Sequence, residues 1–94
     1  MSRDPRYCVY ILECCDGTLY TGYTNNIDKR LIAHQQGKGA KYTRGRTPVE
    51  LVYLEHHLTK SEALKAEYQI KQLNKKEKKR LIYTKEQLNH VEST

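Results

Sequence analysis

The chain lacks any apolar run approaching the roughly 20 residues that a bilayer crossing requires, so no transmembrane helix is expected. Its opening segment, MSRDPRY, is charged and carries no apolar stretch, so it does not read as a secretory signal. Cysteine is scarce: Cys8, Cys14 and Cys15 form an odd set without C-x-x-C spacing. Neighbouring Cys14 and Cys15 would point to opposite faces of a strand. That excludes a disulfide framework or zinc site as the first reading and favours small strand residues in a reducing cytoplasm. Also missing are a G-x-S-x-G elbow, a P-loop, a zinc-type histidine cluster and a dinucleotide fingerprint. His56 and His57 are adjacent but lack further ligands, and read as surface residues. No internal repeat or linker interrupts the 94 residues, which fit a single domain over 1–94.

What is present is positive charge. Seventeen Lys+Arg against 11 Asp+Glu give a net charge of +6, with 37% hydrophobic residues placed periodically. That balance points to a polyanionic partner, nucleic acid first and an anionic membrane second. The membrane reading falls away because no long basic amphipathic helix with a bulky apolar face occurs.

Residues 6–14, RYCVYILEC, and 18–24, TLYTGYT, are rich in Val, Ile, Tyr and Thr and read as strands joined at Asp16-Gly17. Apolar side chains occupy both parities of the first, so both of its faces should be covered. Loop length then decides a functional question. A two-residue turn would set Tyr20 opposite Glu13, on the face away from Tyr10. A three-residue loop, Cys15-Asp16-Gly17 with Gly17 left-handed, pairs Cys14 with Thr18 and brings both tyrosines to one side. This second register is favoured. Asn25 or Asn26 caps a helix running to about Gln36, and Gly37 stops it. GKGAKYTRGRTP is a Gly-rich basic loop, and VELVYLEHH, 49–57, is a third strand. Thr59 to Glu62 opens a helix over about 60–73, and Asn74 to Glu77 opens a short, very basic one. Thr84 to Gln87 opens a last short helix, within a tail over 83–94, that frays by Ser93. Three strands with about four helices in irregular order predict an α+β domain on a small sheet.

Arg30 and His34 lie four apart and share a helix face beside Ile27 and Leu31, at the edge of the buried stripe. Alone, they read as a half-buried surface pair. In the 60–73 helix the apolar stripe is Ala63, Ala66, Ile70 and Leu73, with Glu67 on its flank. A carboxylate there needs a cation, because unpaired burial is expensive. Two partners fit equally: a structural salt bridge to Arg30 or a lysine, or a hard ion such as Mg2+, which keeps most of its waters. Lys38, Lys41, Arg44 and Arg46 share a loop with Gly37, Gly39 and Gly45, whose backbone N–H groups can approach phosphates. Tyr42 in that loop could stack on a base or sugar. Lys75, Lys76, Lys78, Lys79 and Arg80 crowd a second segment. A charge run alone is an ordinary solvated face; two of them in a small basic protein favour nucleic-acid binding.

Taken together, these residues resemble the GIY-YIG endonuclease superfamily. Its first element is matched by CVY (Cys8-Val9-Tyr10) and its second by YTG (Tyr20-Thr21-Gly22). Arg30 follows the glycine by eight residues, and His34 takes the Tyr-or-His position four later. Glu67 in ALKAEYQIK matches the acidic helix position. The similarity covers about residues 6–82, and GKGAKYTRGR with SEALKAEYQIKQL looks like the small stand-alone bacterial branch. Cys8 stands for a glycine, Thr21 for an isoleucine, and Tyr23 where DNA-repair relatives often carry lysine. Their late asparagine has no counterpart, since Asn74 comes too early.

The resemblance implies a three-stranded antiparallel sheet flanked by helices, with the site on one sheet face. It implies divalent-metal-dependent hydrolysis of DNA phosphodiesters, with Tyr10, Tyr20, Arg30, His34 and Glu67 as the catalytic positions. Tyr20 would be the general base, Arg30 would hold phosphoryl oxygens, and Glu67 would hold one Mg2+ or Mn2+. Gly22 would give close backbone access. A free phenol has a pKa of about 10, so Tyr20 in this role needs Arg30, the metal, or a hydrogen bond to Tyr10 or His34. Lys38, Lys41, Tyr42, Arg44, Arg46, Lys75, Lys76 and Lys79 would contact the nucleic acid, DNA ahead of RNA. The alternative is a non-catalytic nucleic-acid-binding module with a vestigial site. A third reading is an interaction domain whose protein partner supplies specificity. For hydrolysis, the Tyr20 phenol and the Glu67 carboxylate are expected to border one pocket.

Overall fold

The computed structural model describes residues 5–92, with side chains described through Lys85. Its strands are β1 (Tyr7–Cys14), β2 (Leu19–Thr24) and β3 (Val49–His57), all antiparallel in the order β2-β1-β3. The central place of β1 explains its two apolar parities: Cys8, Val9, Tyr10, Ile11, Leu12 and Cys14 are all buried. Val9 and Ile11 pack with Tyr53 against Ala63 and Ile70 of α2 (Lys60–Lys71), with Leu81 and Ile82 of α3 (Lys75–Glu92) alongside. Tyr10, Leu12 and Cys14 point the other way, toward Ile27 and Leu31 of α1 (Ile27–Gln35). Each fully buried aliphatic among these contributes about 1.5–3 kcal/mol relative to exposure. The sheet therefore separates two cores.

A register shift between Ile11 and Leu12 leaves Val52 as an extra residue on β3, since Ile11 pairs with Tyr53 and Leu12 with Leu51. The bulge lets Val52 and Tyr53 both join the α2 side while Leu51 and Leu54 join the α1 side.

The hairpin adopts the three-residue loop. Gly17 has φ +84°, its N–H donates to Cys14 O at 2.9 Å, and Cys14 N–H donates to Thr18 O at 2.9 Å. Leu12 then faces Tyr20 and Tyr10 faces Gly22. Cys14 is buried and Cys15 exposed, and neither is in a disulfide.

Helix ends follow their signals. Asn26 Oδ1 accepts from Lys29 N–H, while Gly37 (φ +74°) closes α1, with Lys38 N–H donating to Ala33 O and Gly37 N–H to His34 O. Thr59 Oγ1 accepts from Glu62 N–H, and Asn74 and Glu77 exchange reciprocal bonds at 3.0 and 2.8 Å. The expected helix start at Thr84 is not there. α3 runs unbroken through it, and the Thr84 hydroxyl donates to Arg80 O one turn back instead of capping a new helix. The described residues thus form three α-helices where the sequence predicts about four. The fraying anticipated at Ser93 lies outside the described residues.

The loop between α1 and β3 is stitched at both ends. Gln35 exchanges two bonds with the Val49 backbone, and Arg46 accepts from Cys15 N–H while its Nε donates to Asp16 at 3.0 Å. Nothing lies within 4 Å of a Cβ placed on Gly17, so only backbone strain opposes a side chain there. Gly17→Ala should therefore cost about 1–2 kcal/mol, read as a shift of the urea unfolding midpoint. An unchanged midpoint would mean the hairpin tolerates another turn.

Candidate active site

The residues that the hairpin and α1 were expected to share do converge on the α1 face of the sheet. Tyr10 Oη and His34 Nε2 are 2.9 Å apart, and Arg30 Nε donates to Tyr10 Oη at 3.4 Å. The Tyr20 ring lies 6.3 Å from that of Tyr10 and 5.4 Å from His34. Burial divides the group. Tyr10 is 1% and His34 0% exposed, so both are sealed behind the surface, whereas Tyr20 and Arg30 are only half-buried. His34 is thus no surface histidine, because Tyr10 reaches across the sheet to meet it.

That reach depends on Gly22. A Cβ on Gly22 would stand 2.5 Å from Tyr10 Oη and 2.9 Å from Tyr20 Cε2. The glycine clears space for the chain's own phenols. This is a different purpose from the backbone access expected from the sequence.

Electrostatics sharpen the division. Burial pushes the Tyr10 phenol up, helped by the charges of Tyr20 and Glu67, while its Arg30 hydrogen bond pulls the other way. Arg30 is raised, first by its bond to Tyr10, with Tyr20 also contributing a hydrogen bond and charge. His34 is lowered by burial and then by the Arg30 charge. Tyr10 is therefore a neutral phenol at physiological pH, and His34 a neutral imidazole.

The basic loop lies against this group, and part of it faces inward. Thr43 is 0% exposed, with Oγ1 2.8 Å from His34 Nδ1, and a Cβ on Gly39 would fall onto the imidazole ring. Neither residue was singled out from sequence; Gly39 read as a phosphate-approach glycine, and a lone threonine carried no signal. Tyr42 stacks on Tyr20 at 5.8 Å with 27° between the rings, and the Arg46 guanidinium covers Tyr42 at 4.4 Å. Arg46 also donates to Tyr42 O and to Asp16, whose carboxyl is held down at about 2, chiefly by hydrogen bonds from Thr18. So Tyr42 and Arg46 are already engaged inside the chain. Lys38, Lys41 and Arg44 belong to the same loop beside the site.

Glu67 is placed differently. α2 packs on the sheet face opposite the Tyr10 and Tyr20 rings, and the Glu67 carboxylate pairs with Lys71 at 3.4 Å. The lysine partner that the sequence offered is Lys71, at the helical i,i+4 spacing. Yet Glu67 is only 18% exposed, and its charge raises both Tyr10 on one face and Tyr23 on the other. Tyr10 lies on the central strand opposite Gly22, and Tyr23 follows that glycine on the edge strand β2. Tyr20 and Glu67, expected to border one pocket, are therefore not joined by a direct contact: Tyr20 packs on the α1 face and Glu67 lies on the helix that covers the other. Among the described residues no group of three His, Cys, Asp or Glu side chains gathers as a metal cage. A single largely covered carboxylate fits a divalent ion that retains most of its water. Lys75, Lys76 and Lys79 lie on α3, on the Glu67 side of the sheet, where Lys78 is lowered by burial and by Lys71.

Because folding lowers the His34 pKa from 6.5, the unfolded chain binds the extra proton first on acidification. Its contribution to stability is complete above about pH 6.5 and declines as pH falls toward the folded value. Tyr10 and Arg30, which face it, are both raised and stay outside that window. Thermal melts between about pH 7 and pH 5 should therefore fall more steeply for the native chain than for His34→Gln. Parallel slopes would contradict the buried neutral imidazole.

The family described as the GIY-YIG catalytic domain matches residues 6–80. The UPF0213 protein OB0043 of Oceanobacillus iheyensis is 56% identical over 84 residues, spanning 89% of this chain and 98% of its own. Two solution NMR structures share the fold. The UPF0213 protein BH0048 of Bacillus halodurans has 49% identity and a TM-score of 0.57, covering 84% of each chain. The protein EF2693 of E. faecalis has 41% identity and a TM-score of 0.60, covering 89% of this chain and 90% of its own. No helix among the described residues is long and apolar enough to cross a membrane. A half-exposed tyrosine and arginine backed by a sealed tyrosine–histidine pair thus sit in a chain that belongs to the GIY-YIG superfamily, with UPF0213 proteins as its relatives.

Proposed function

We propose that the protein is a divalent-metal-dependent nuclease that hydrolyses phosphodiester bonds in DNA. The observation that carries this reading is the half-exposed Tyr20 phenol beside the Arg30 guanidinium, both held from behind by Tyr10 and His34. Phosphodiester hydrolysis needs a base for the attacking water and a cation for the phosphoryl oxygens. Of the two hairpin phenols beside Arg30, Tyr20 is the one with access to solvent, so as the phenolate it takes the proton of the water. Tyr10, buried and kept neutral, cannot serve and instead orients its neighbours. Arg30 spends its Nε on Tyr10, which leaves its terminal amino groups for Tyr20 and a phosphoryl oxygen. Glu67 would hold one Mg2+ or Mn2+, which supplies charge neutralisation on the phosphate and the departing oxygen. Lys38, Lys41 and Arg44 guide the DNA backbone past the site, and Lys75, Lys76 and Lys79 attract it from the α3 side.

One observation favours a second reading. Glu67 already pairs with Lys71, on a helix that covers the other sheet face. A non-catalytic nucleic-acid-binding module would keep the basic surfaces and leave this ion pair undisturbed.

Incubation with single-stranded, duplex and branched DNA and with RNA, in Mg2+, Mn2+ or EDTA, separates the two. Metal-dependent nicking of DNA is expected, abolished in Glu67→Ala with the fold intact by circular dichroism. Full activity in that variant would remove Glu67 from the mechanism, and salt-sensitive binding without cleavage would establish the module. Tyr20→Phe should lose at least about 100-fold in turnover while DNA binding persists; unchanged turnover would reassign the base.

A further inference from the structure

The protons of the buried group can be placed by elimination, starting from the residue that cannot accept. Arg30 has no acceptor atom, so its Nε–H donates to Tyr10 Oη. The Tyr10 hydroxyl proton then needs another acceptor, because an unsatisfied buried hydroxyl is costly. Among the described residues its remaining polar partner is His34 Nε2, at 2.9 Å. Nε2 must therefore carry a lone pair, and the neutral imidazole holds its proton on Nδ1. That Nδ1–H faces Thr43 Oγ1 at 2.8 Å, so the threonine oxygen accepts. The threonine hydroxyl proton goes to Ala40 O at 2.9 Å, which also receives Thr43 N–H at 3.0 Å. Every donor meets an acceptor in one direction only, from Arg30 to the backbone of the loop. The reverse tautomer would place Nε2–H against Tyr10 and strand the phenolic proton beside Gly22.

We propose that Thr43 is a positioning residue that fixes His34 in its Nδ1–H form and thereby aims the Tyr10 lone pair at Arg30. The role rests on the nuclease reading for its catalytic consequence, but the tautomer itself does not. With the Tyr10 proton committed to His34, the phenol cannot donate to Tyr20, and Arg30 is gripped at Nε in one orientation. The loop is built to hold this contact. Gly37 turns the chain out of α1, Gly39 lies flat on the imidazole, and the short turn Lys41–Thr43 delivers the hydroxyl to Nδ1. Gly39 and Thr43 thus give the loop an inward purpose distinct from the phosphate contacts of its lysines. A serine can replace the hydroxyl; a valine keeps the shape and removes it.

Long-range 15N–1H spectra of the imidazoles at about pH 8, where a histidine is neutral, test this, with His34→Gln used to assign the signal. The native chain and Thr43→Ser should show the proton on Nδ1 and a bare Nε2. Thr43→Val should lose that pure state, and its nicking turnover should drop about 10–100-fold at unchanged KM, as for other partners one bond removed from a reacting group. A native His34 protonated on Nε2, a Thr43→Val spectrum identical to the native one, or undiminished turnover in that variant would each overturn the proposal. If the spectra behave as stated and no chain cleaves any nucleic acid, the tautomer assignment stands and the nuclease reading falls. The native and serine spectra decide the tautomer even if the valine variant does not fold.

Discussion

The hydrogen bond between Tyr10 and His34 ties the central strand to α1 from within the core, behind the bond that Arg30 makes to the same phenol. Tyr10 comes from the central strand and His34 from the last turn of α1, and both are sealed from solvent. Breaking such a bond while leaving its partner buried costs about 1–3 kcal/mol, so the sheet, the helix and the following loop are held at a common spacing. Two glycines make the contact geometrically possible. Gly22 clears the path of the phenol across β2, and Gly39 lets the loop backbone lie on the imidazole. The proposed functional surface is what remains in front: Tyr20 and Arg30, anchored from behind and open toward solvent.

The loop between α1 and β3 serves two masters. Its lysines face outward as a basic edge, while Thr43 faces inward and Tyr42 lies over Tyr20. Arg46 closes the arrangement by covering Tyr42 and gripping Asp16 at the hairpin tip. The hairpin turn and the loop are therefore one unit around Tyr20, and a change at Asp16 acts on the site through Arg46 without touching it.

Much of this was legible in the chain. The unbroken Val, Tyr, Ile and Leu run of β1, the Asp16-Gly17 turn and the capping pairs at Thr59 and Asn74 are local signals, and local structure followed them. The three-residue loop fixed which face Tyr20 takes, because a one-residue slip in a strand reverses every side chain. Thr84 misled because its capping spacing is weak against a continuing helix, where the hydroxyl bonds back to Arg80. The burial of His34 and Thr43, and the clasp of Arg46 on Tyr42, depend on contacts between segments distant in sequence, which no spacing encodes. Glu67 was legible as a flank carboxylate needing a cation; that its helix covers the other sheet face depends on Ala63 and Ile70 packing on Val9, Ile11 and Tyr53, segments distant in sequence.

The central claim is that a phosphodiester docks on Tyr20 and Arg30 while Tyr10 and His34 stay closed behind them. An NMR titration of labelled protein with a short DNA duplex, in Ca2+ to hold cleavage back, measures this directly. The Tyr20 ring and Arg30 side-chain resonances should move together with those of Lys38 and Lys41, while the Tyr10 and His34 signals keep their positions. Shifts confined to the α3 lysines, with Tyr20 and Arg30 unmoved at saturation, would contradict it.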